Sequence, residues 1–197
     1  LPLLDRYGVK GTFYVMPRRV EHDFNEWKNA LANGHEIGNH TMTHPCSGNF
    51  TFVHGNALEE YSLAQMEAEI QDANSALQSL LGATPRTFAY PCGQTYVGRG
   101  AETQSYVPLA AKHFLAGRGY NSESANDPTF CDLAQLMAIP ADVKEFSVLE
   151  KHFDKTLQDG HWLILAAHDV TADGRQSIAP RVLEEICHYA ERHSELW

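Results

Sequence analysis

Two histidines four residues apart, His40 and His44, lie in the run His35-Glu36-Ile37-Gly38-Asn39-His40-Thr41-Met42-Thr43-His44-Pro45. Neutral imidazole is a common protein ligand for zinc and similar borderline cations. Two imidazoles at this spacing converge on one ion if the intervening backbone makes a single turn. Pro45 disfavours helix at His44, so the pair is expected on one turn at a strand end. With eleven histidines in the chain, spacing alone is weak evidence, and the setting carries the weight. The pair follows a strand-like segment. Much later the apolar run Leu163-Ile164-Leu165-Ala166-Ala167 leads into the ionisable pair His168-Asp169. Catalytic residues of α/β proteins gather at the carboxyl ends of strands.

The elements that must position these residues can be read from composition and pattern. At 197 residues the chain is expected to be one domain spanning 1–197 with a single substantial core. Apolar residues make up 43% and charged residues 20%, ordinary for a globular protein. Fifteen basic and 25 acidic residues give a formal net charge of −10. That opposes nucleic-acid binding and adsorption to anionic membranes. No apolar stretch approaches the ~18 residues of a membrane span, so no membrane insertion is expected. The start of the chain carries no signal-peptide pattern. Cys46, Cys92, Cys131 and Cys187 form no CxxC, which disfavours a closed cysteine-only zinc site.

Leu1–Gly8 reads as the last turns of a helix stopped by Gly8. Lys10–Val15 and His35–His40 read as strands flanking a helix over Asp23–Asn33. Ser47–Tyr61 reads as a long loop over the site. Ser62 and Gln65 form a capping-box pattern. Leu63, Met66, Ile70, Ala73, Leu77 and Leu80 then keep helical steps up to Gly82. Arg86–Tyr90 is expected to be a strand, Gly93–Ser105 a glycine-rich loop, and Tyr106–Lys112 a short helix. Strands are expected at His113–Ala116, Leu136–Ile139 and Trp162–Ala166, and helices at Ser147–Asp159 and Pro180–His193. Strands alternate with helices about six times, which predicts parallel βαβ units in an open sheet or a barrel.

Asn39-His40-Thr41-Met42-Thr43-His44-Pro45 resembles the metal motif of the polysaccharide deacetylases, carbohydrate esterase family four. Tyr7–Val15, Phe88-Ala89-Tyr90-Pro91-Cys92-Gly93 and Leu165-Ala166-Ala167-His168-Asp169 resemble further motifs of that family, in order, over nearly the whole chain. The resemblance implies an α/β fold, a deformed (β/α) barrel, that removes acetyl groups from carbohydrates with a divalent metal. Zinc comes first, with cobalt, nickel or manganese as alternatives. Carried over, His40 and His44 are the metal ligands and His168 the general acid. Tyr90, Pro91, Cys92 and Leu165 line the substrate site, and the backbone around Tyr90–Cys92 contributes to binding the oxyanion. An acetylated carbohydrate is the implied partner and an extracellular or periplasmic setting the implied location. The family's Asp-Asp, which supplies the base and third metal ligand, would stand before Leu1, and a further strand would be expected at the far end. The chain is therefore read as truncated at both ends, lacking its first and last strands. Ala89 stands where the family usually has Arg, and Cys92 where it has Tyr. A non-catalytic sugar-binding relic and an amidohydrolase acting on a small non-sugar amide are the alternative functions.

Other residues have structural readings. The family's Asp-rich motif is not found cleanly, and the resemblance leaves Asp127 or Asp132 to stand for it, as a partner that orients His168. Asp169 reads as a capping carboxylate. His35 is expected to face away from the metal, because strand alternation sets it opposite His40. Cys46 and Cys92 read as two small buried thiols, with a metal ligand or a disulfide as alternatives. Trp27 and Trp162 are expected in the core, and Tyr90 and Tyr96 could stack on sugar rings.

Overall fold

The structure is a computed structural model and describes residues 2–196; Leu1 and Trp197, which the readings of both chain ends include, lie outside the described residues. Among the described residues eight strands form: β1 Thr12–Val15, β2 Glu36–Asn39, β3 Thr87–Ala89, β4 Tyr96–Val97, β5 Gln104–Ser105, β6 Ala116–Arg118, β7 Ile139–Pro140 and β8 Leu165–Ala166. The α-helices among the described residues are α1 Pro2–Arg6, α2 Pro17–His22, α3 Phe24–Ala32, α4 Leu63–Leu81, α5 Val107–His113, α6 Phe146–Asp159 and α7 Pro180–Arg192. The chain divides into two compact units. The larger comprises Lys10–Gly119 and Asp132–Leu136. The smaller comprises Tyr120–Cys131 and the chain from Met137 onward, with the first residues up to Val9.

The larger unit is organised on a parallel sheet in the order β1-β2-β3-β6. Val15 stands beside Asn39, Asn39 beside Phe88, and Ala89 beside Arg118. Neighbouring strands therefore end along one carboxyl edge, and the loops that follow them emerge together. Parallel strands need crossovers, and α3, α4 and α5 supply them. The capping box forms as expected: Gln65 N–H donates to Ser62 Oγ, and Gln65 Oε1 accepts from Ser62 N–H. Gly82 closes α4 in the left-handed conformation at φ 70°, where a side chain would be strained. Met66, Ile70, Ala73 and Leu77 form the buried face of that helix. Met66 and Ile70 pack with Phe88, Tyr90 and Tyr106, while Leu77 joins Val15, Val20 and Ile37. In β2, a Cβ on Gly38 would meet the Tyr14 ring at 2.5 Å, so only glycine fits there.

The smaller unit pairs β7 with β8 in parallel, Ile139 beside Leu165. Leu149 of α6 and Val182 of α7 pack with Ala141 and Ile178.

Several expectations are corrected. The described strands form open sheets, not a closed barrel. The strand expected at His113–Ala116 starts only at Ala116, because α5 runs on to His113, where Lys112 and His113 both bond Glu67 and Phe114 N–H still donates to Ala110. The Leu136–Ile139 strand is displaced to Ile139–Pro140. Asn126 takes Met137 through both its backbone groups and interrupts the run. Only Leu165 and Ala166 of the Trp162–Ala166 run join a strand. Trp162 pairs instead with Asn126 and is 44% exposed, so it is not core. Helix α2 was not anticipated, although Pro17 at its first turn is a usable signal. The glycine-rich loop contains the small antiparallel pair β4–β5.

Candidate metal centre and proton-transfer residues

The carboxyl end of β2 delivers Asn39, wholly buried, into the turn that carries both histidines. Its side chain donates to Ile70 O and Asn74 Oδ1 of α4, at 3.0 and 2.8 Å, and accepts from Thr41 N–H at 2.7 Å. Thr41 and His44 both adopt positive φ, 62° and 58°. Such backbone costs on the order of 1–3 kcal/mol per residue and persists only where the surroundings over-determine it. Here they do. Thr41 Oγ1 accepts from His44 N–H at 3.0 Å. Glu69 of α4 accepts from Met42 N–H, Thr43 N–H, the Thr43 hydroxyl and the Tyr61 hydroxyl, at 2.9, 2.8, 2.7 and 3.1 Å. Burial holds the Tyr61 hydroxyl above its ordinary pKa, so it stays a donor to that carboxylate.

The turn brings the His40 and His44 rings to a centroid distance of 4.7 Å, nearly edge-on at 73°. His40 Nδ1 lies 2.8 Å from the carbonyl oxygen of Ala89, the last residue of the neighbouring strand β3. A carbonyl only accepts, so Nδ1 carries the proton and Nε2 the lone pair. His44 Nδ1 lies 3.5 Å from Cys46 Sγ. That sulfur is disulfide-bonded and has no proton to give, so the same tautomer follows. Two neutral imidazoles, each oriented through Nδ1 and presenting Nε2, are the donor set that zinc and similar ions take. These residues fit two positions of such a site. We expect Glu69→Ala, which removes three hydrogen bonds from the turn and one from Tyr61, to lower metal affinity ~10–100-fold. Glu69→Gln keeps an acceptor for the two backbone groups and should retain most of it; calorimetric metal titration of both variants checks this.

Cys46 and Cys92 are a disulfide, not the two thiols expected. The bond ties the loop after β2 to the 3-10 turn Pro91–Gly93 after β3. Cys92 itself sits at φ 54°. The following loop is anchored by Glu59, which accepts from the Ser47 hydroxyl and Gly48 N–H. These two contacts, the Ser47 hydroxyl first, hold the Glu59 carboxyl below its ordinary pKa.

The Tyr90 ring is a correction. It is 1% exposed and its hydroxyl donates to Ala134 O at 2.7 Å. The side chain belongs to the core and cannot stack on a sugar. Burial, then the Asp132 charge, pushes its pKa far up. Pro91 is also buried, and Leu165 packs, partly buried, against the core of the smaller unit. Tyr96 is partly exposed and accepts from the Gln94 side chain at 3.1 Å. His35 is buried; its Nδ1 accepts from Gly11 N–H and its ring meets Phe13 edge-on.

His168 belongs to the smaller unit, while His40 and His44 belong to the larger. Its partner is Asp142, not Asp127 or Asp132. Asp142 Oδ2 lies 2.5 Å from His168 Nδ1, and Oδ1 accepts from His168 N–H at 3.0 Å. The Tyr120 hydroxyl donates to Asp142 Oδ2 at 2.9 Å, and its ring meets His168 edge-on. The Asp142 side chain is 7% exposed and that of His168 is 47% exposed. A buried carboxylate thus fixes an imidazole whose outer face is open. Asp127 instead accepts from Thr129, and Asp132 caps the turn at Leu133–Gln135. Asp169 accepts from Val170 N–H, a local cap. Asp142 follows β7 directly in Pro140-Ala141-Asp142, so a carboxylate at a strand end was the signal that could have found it.

The polysaccharide deacetylase family profile matches residues 1–106. The chain is 32% identical over 117 residues to a gellan lyase from Bacillus sp., covering 59% of this chain and 4% of that protein. It is 30% identical over 115 residues to a chitooligosaccharide deacetylase from Bradyrhizobium sp. (strain ANU 289), covering 58% of this chain and 47% of that one. The chain thus spans less than half the length of these relatives. Its fold is similar to that of a family 4 acetyl xylan esterase from Clostridium thermocellum in complex with a cobalt ion. The TM-score is 0.61 at 22% identity, over 98% of this chain and 75% of that one. It is also similar to a mutant of BA3943, a CE4 family pseudoenzyme with restored activity, at TM-score 0.55 and 17% identity over 98% and 56% of the two chains. With more than half of its residues matched by the family profile, the chain belongs to the polysaccharide deacetylase family.

Proposed function

We propose that this chain is the metal-dependent catalytic part of a hydrolase that removes acetyl groups from a carbohydrate, on an α/β fold whose larger unit is built on a parallel sheet. The observation that carries the reading is the His40–His44 pair, two edge-on imidazoles whose Nδ1 atoms are both committed to local acceptors. A divalent ion bound there, zinc or cobalt in the first instance, supplies Lewis acidity and lowers the pKa of water. His168 is the general acid. Asp142 holds the proton on Nδ1, so Nε2 is the atom that delivers a proton to the leaving nitrogen or oxygen. The backbone at Tyr90–Cys92 lies on the same carboxyl edge of the sheet as His40 and supports the oxyanion. The disulfide supports an extracellular or periplasmic setting.

Asp142→Asn sets an amide N–H or a weaker acceptor against Nδ1 and frees the wrong tautomer. It is expected to lower kcat about a hundredfold with little change in KM. Steady-state rates of acetate release check this.

The overall reading is tested by acetate release from acetylated chitooligosaccharide and acetylated xylan, with zinc or cobalt added and then removed by a chelator. Metal-dependent release is expected. Glycan binding without release would favour the second reading, a carbohydrate-binding relic. Ala89, in place of the family's usual Arg, favours that reading.

A further inference from the structure

One ring nitrogen of His44 and the Sγ atoms of Cys46 and Cys92 all lie within 4.8 Å of one another, in the larger unit. Cys46 is buried, and His44 and Cys92 are partly buried. In a tetrahedral zinc site, Zn–S of about 2.3 Å and Zn–N of about 2.05 Å set the N···S edge at about 3.5 Å. The His44 Nδ1 to Cys46 Sγ distance is 3.5 Å already. The two cysteine Cα atoms, 6.0 Å apart, lie on loops from adjacent strands. Reduction separates the sulfurs, and the corresponding S···S edge of such a site is about 3.8 Å. That spacing calls for side-chain rotation and little backbone movement.

We infer that this chain has a second metal-binding state, in which the reduced Cys46 and Cys92 thiolates and His44 Nδ1 hold a thiophilic divalent cation such as zinc or cadmium. The disulfide takes two electrons and two protons from a dithiol, which leaves as a cyclic disulfide, and two thiols result. The cation then displaces one proton from each thiol. Soft thiolates beside an imidazole favour zinc and cadmium over magnesium or calcium. In the oxidised chain neither sulfur is a thiolate, so the cluster is closed to metal. The cluster shares only His44 with the proposed centre, and its occupation would draw that ring's Nδ1 away from its present orienting role.

Cobalt(II) is the probe, because thiolate ligands give intense sulfur-to-cobalt charge-transfer absorption that imidazoles do not. The protein is reduced with a phosphine, which becomes the phosphine oxide with oxygen from water and binds metal weakly. It is then titrated with cobalt. The band is expected only after reduction, with two protons released per ion, and it should fall by at least half in Cys46→Ser and in Cys92→Ser. It should be unchanged in Cys131→Ser. Absence of the band in the reduced wild type overturns the inference, as does a band undiminished in both Cys46→Ser and Cys92→Ser. The readout is spectroscopic, so a chain that releases no acetate but shows the band supports this inference while losing the deacetylase reading. The opposite outcome separates them the other way.

Discussion

His40→Ala is expected to abolish metal-stimulated acetate release, with kcat/KM falling about a thousandfold or more, because the ion's contribution of several kcal/mol to the transition state goes with its ligand. His44→Ala should do the same. Both rings lie on one turn, and neither is required by the core. Folding should be little affected, so circular dichroism and melting temperature should stay near wild type while metal titration loses its signal. His35→Ala gives the opposite pattern. That imidazole is buried and accepts from Gly11 N–H, so its loss leaves an unmet donor worth about 1–3 kcal/mol of stability. Metal binding should survive. A fall in metal binding in His35→Ala as large as that in His40→Ala would mean that the histidines act through general stability.

The second large effect is on stability. The Cys46–Cys92 bond closes a loop across 46 positions. Restricting the unfolded chain over a loop of that length contributes roughly 4 kcal/mol in the chain-entropy account. The Cys46→Ala/Cys92→Ala double variant is therefore expected to melt about 10 °C lower, at roughly 2–4 °C per kcal/mol for a chain of this size. Cys131→Ser closes no loop and should leave the melting temperature within a degree or two. Thermal unfolding with and without reductant checks both. Reductant should bring the wild type close to the double variant and leave the double variant itself unmoved.

Much of the fold could be read from local signals. The capping box at Ser62, the apolar steps from Leu63 to Leu80 and the stop at Gly82 set α4 to the residue, because each is a short-range preference that packing reinforces. Strand ends were less legible. Where Ala116 and Ile139 join their sheets depends on Glu67 and Asn126, side chains distant in sequence that capture backbone or helix ends. The His40–His44 turn was legible because both histidines lie within five residues. The supports of that turn were not: Asn74 and Glu69 come from α4, and nothing local marks them. Asp142 was missed for the same reason, since its pairing with His168 spans 26 positions. Cys46 and Cys92 each follow a proline at a strand end, which hinted at proximity. Only the parallel pairing of β2 with β3 makes them neighbours.

The account rests on His40 and His44 gripping one cation through Nε2. X-ray absorption at the zinc edge, on the oxidised protein loaded with one equivalent of zinc, tests this most directly. Two imidazole nitrogens at about 2.0–2.1 Å are predicted, with no sulfur in the shell and one nitrogen lost in either His40→Ala or His44→Ala. A shell that is unchanged by both substitutions would contradict it.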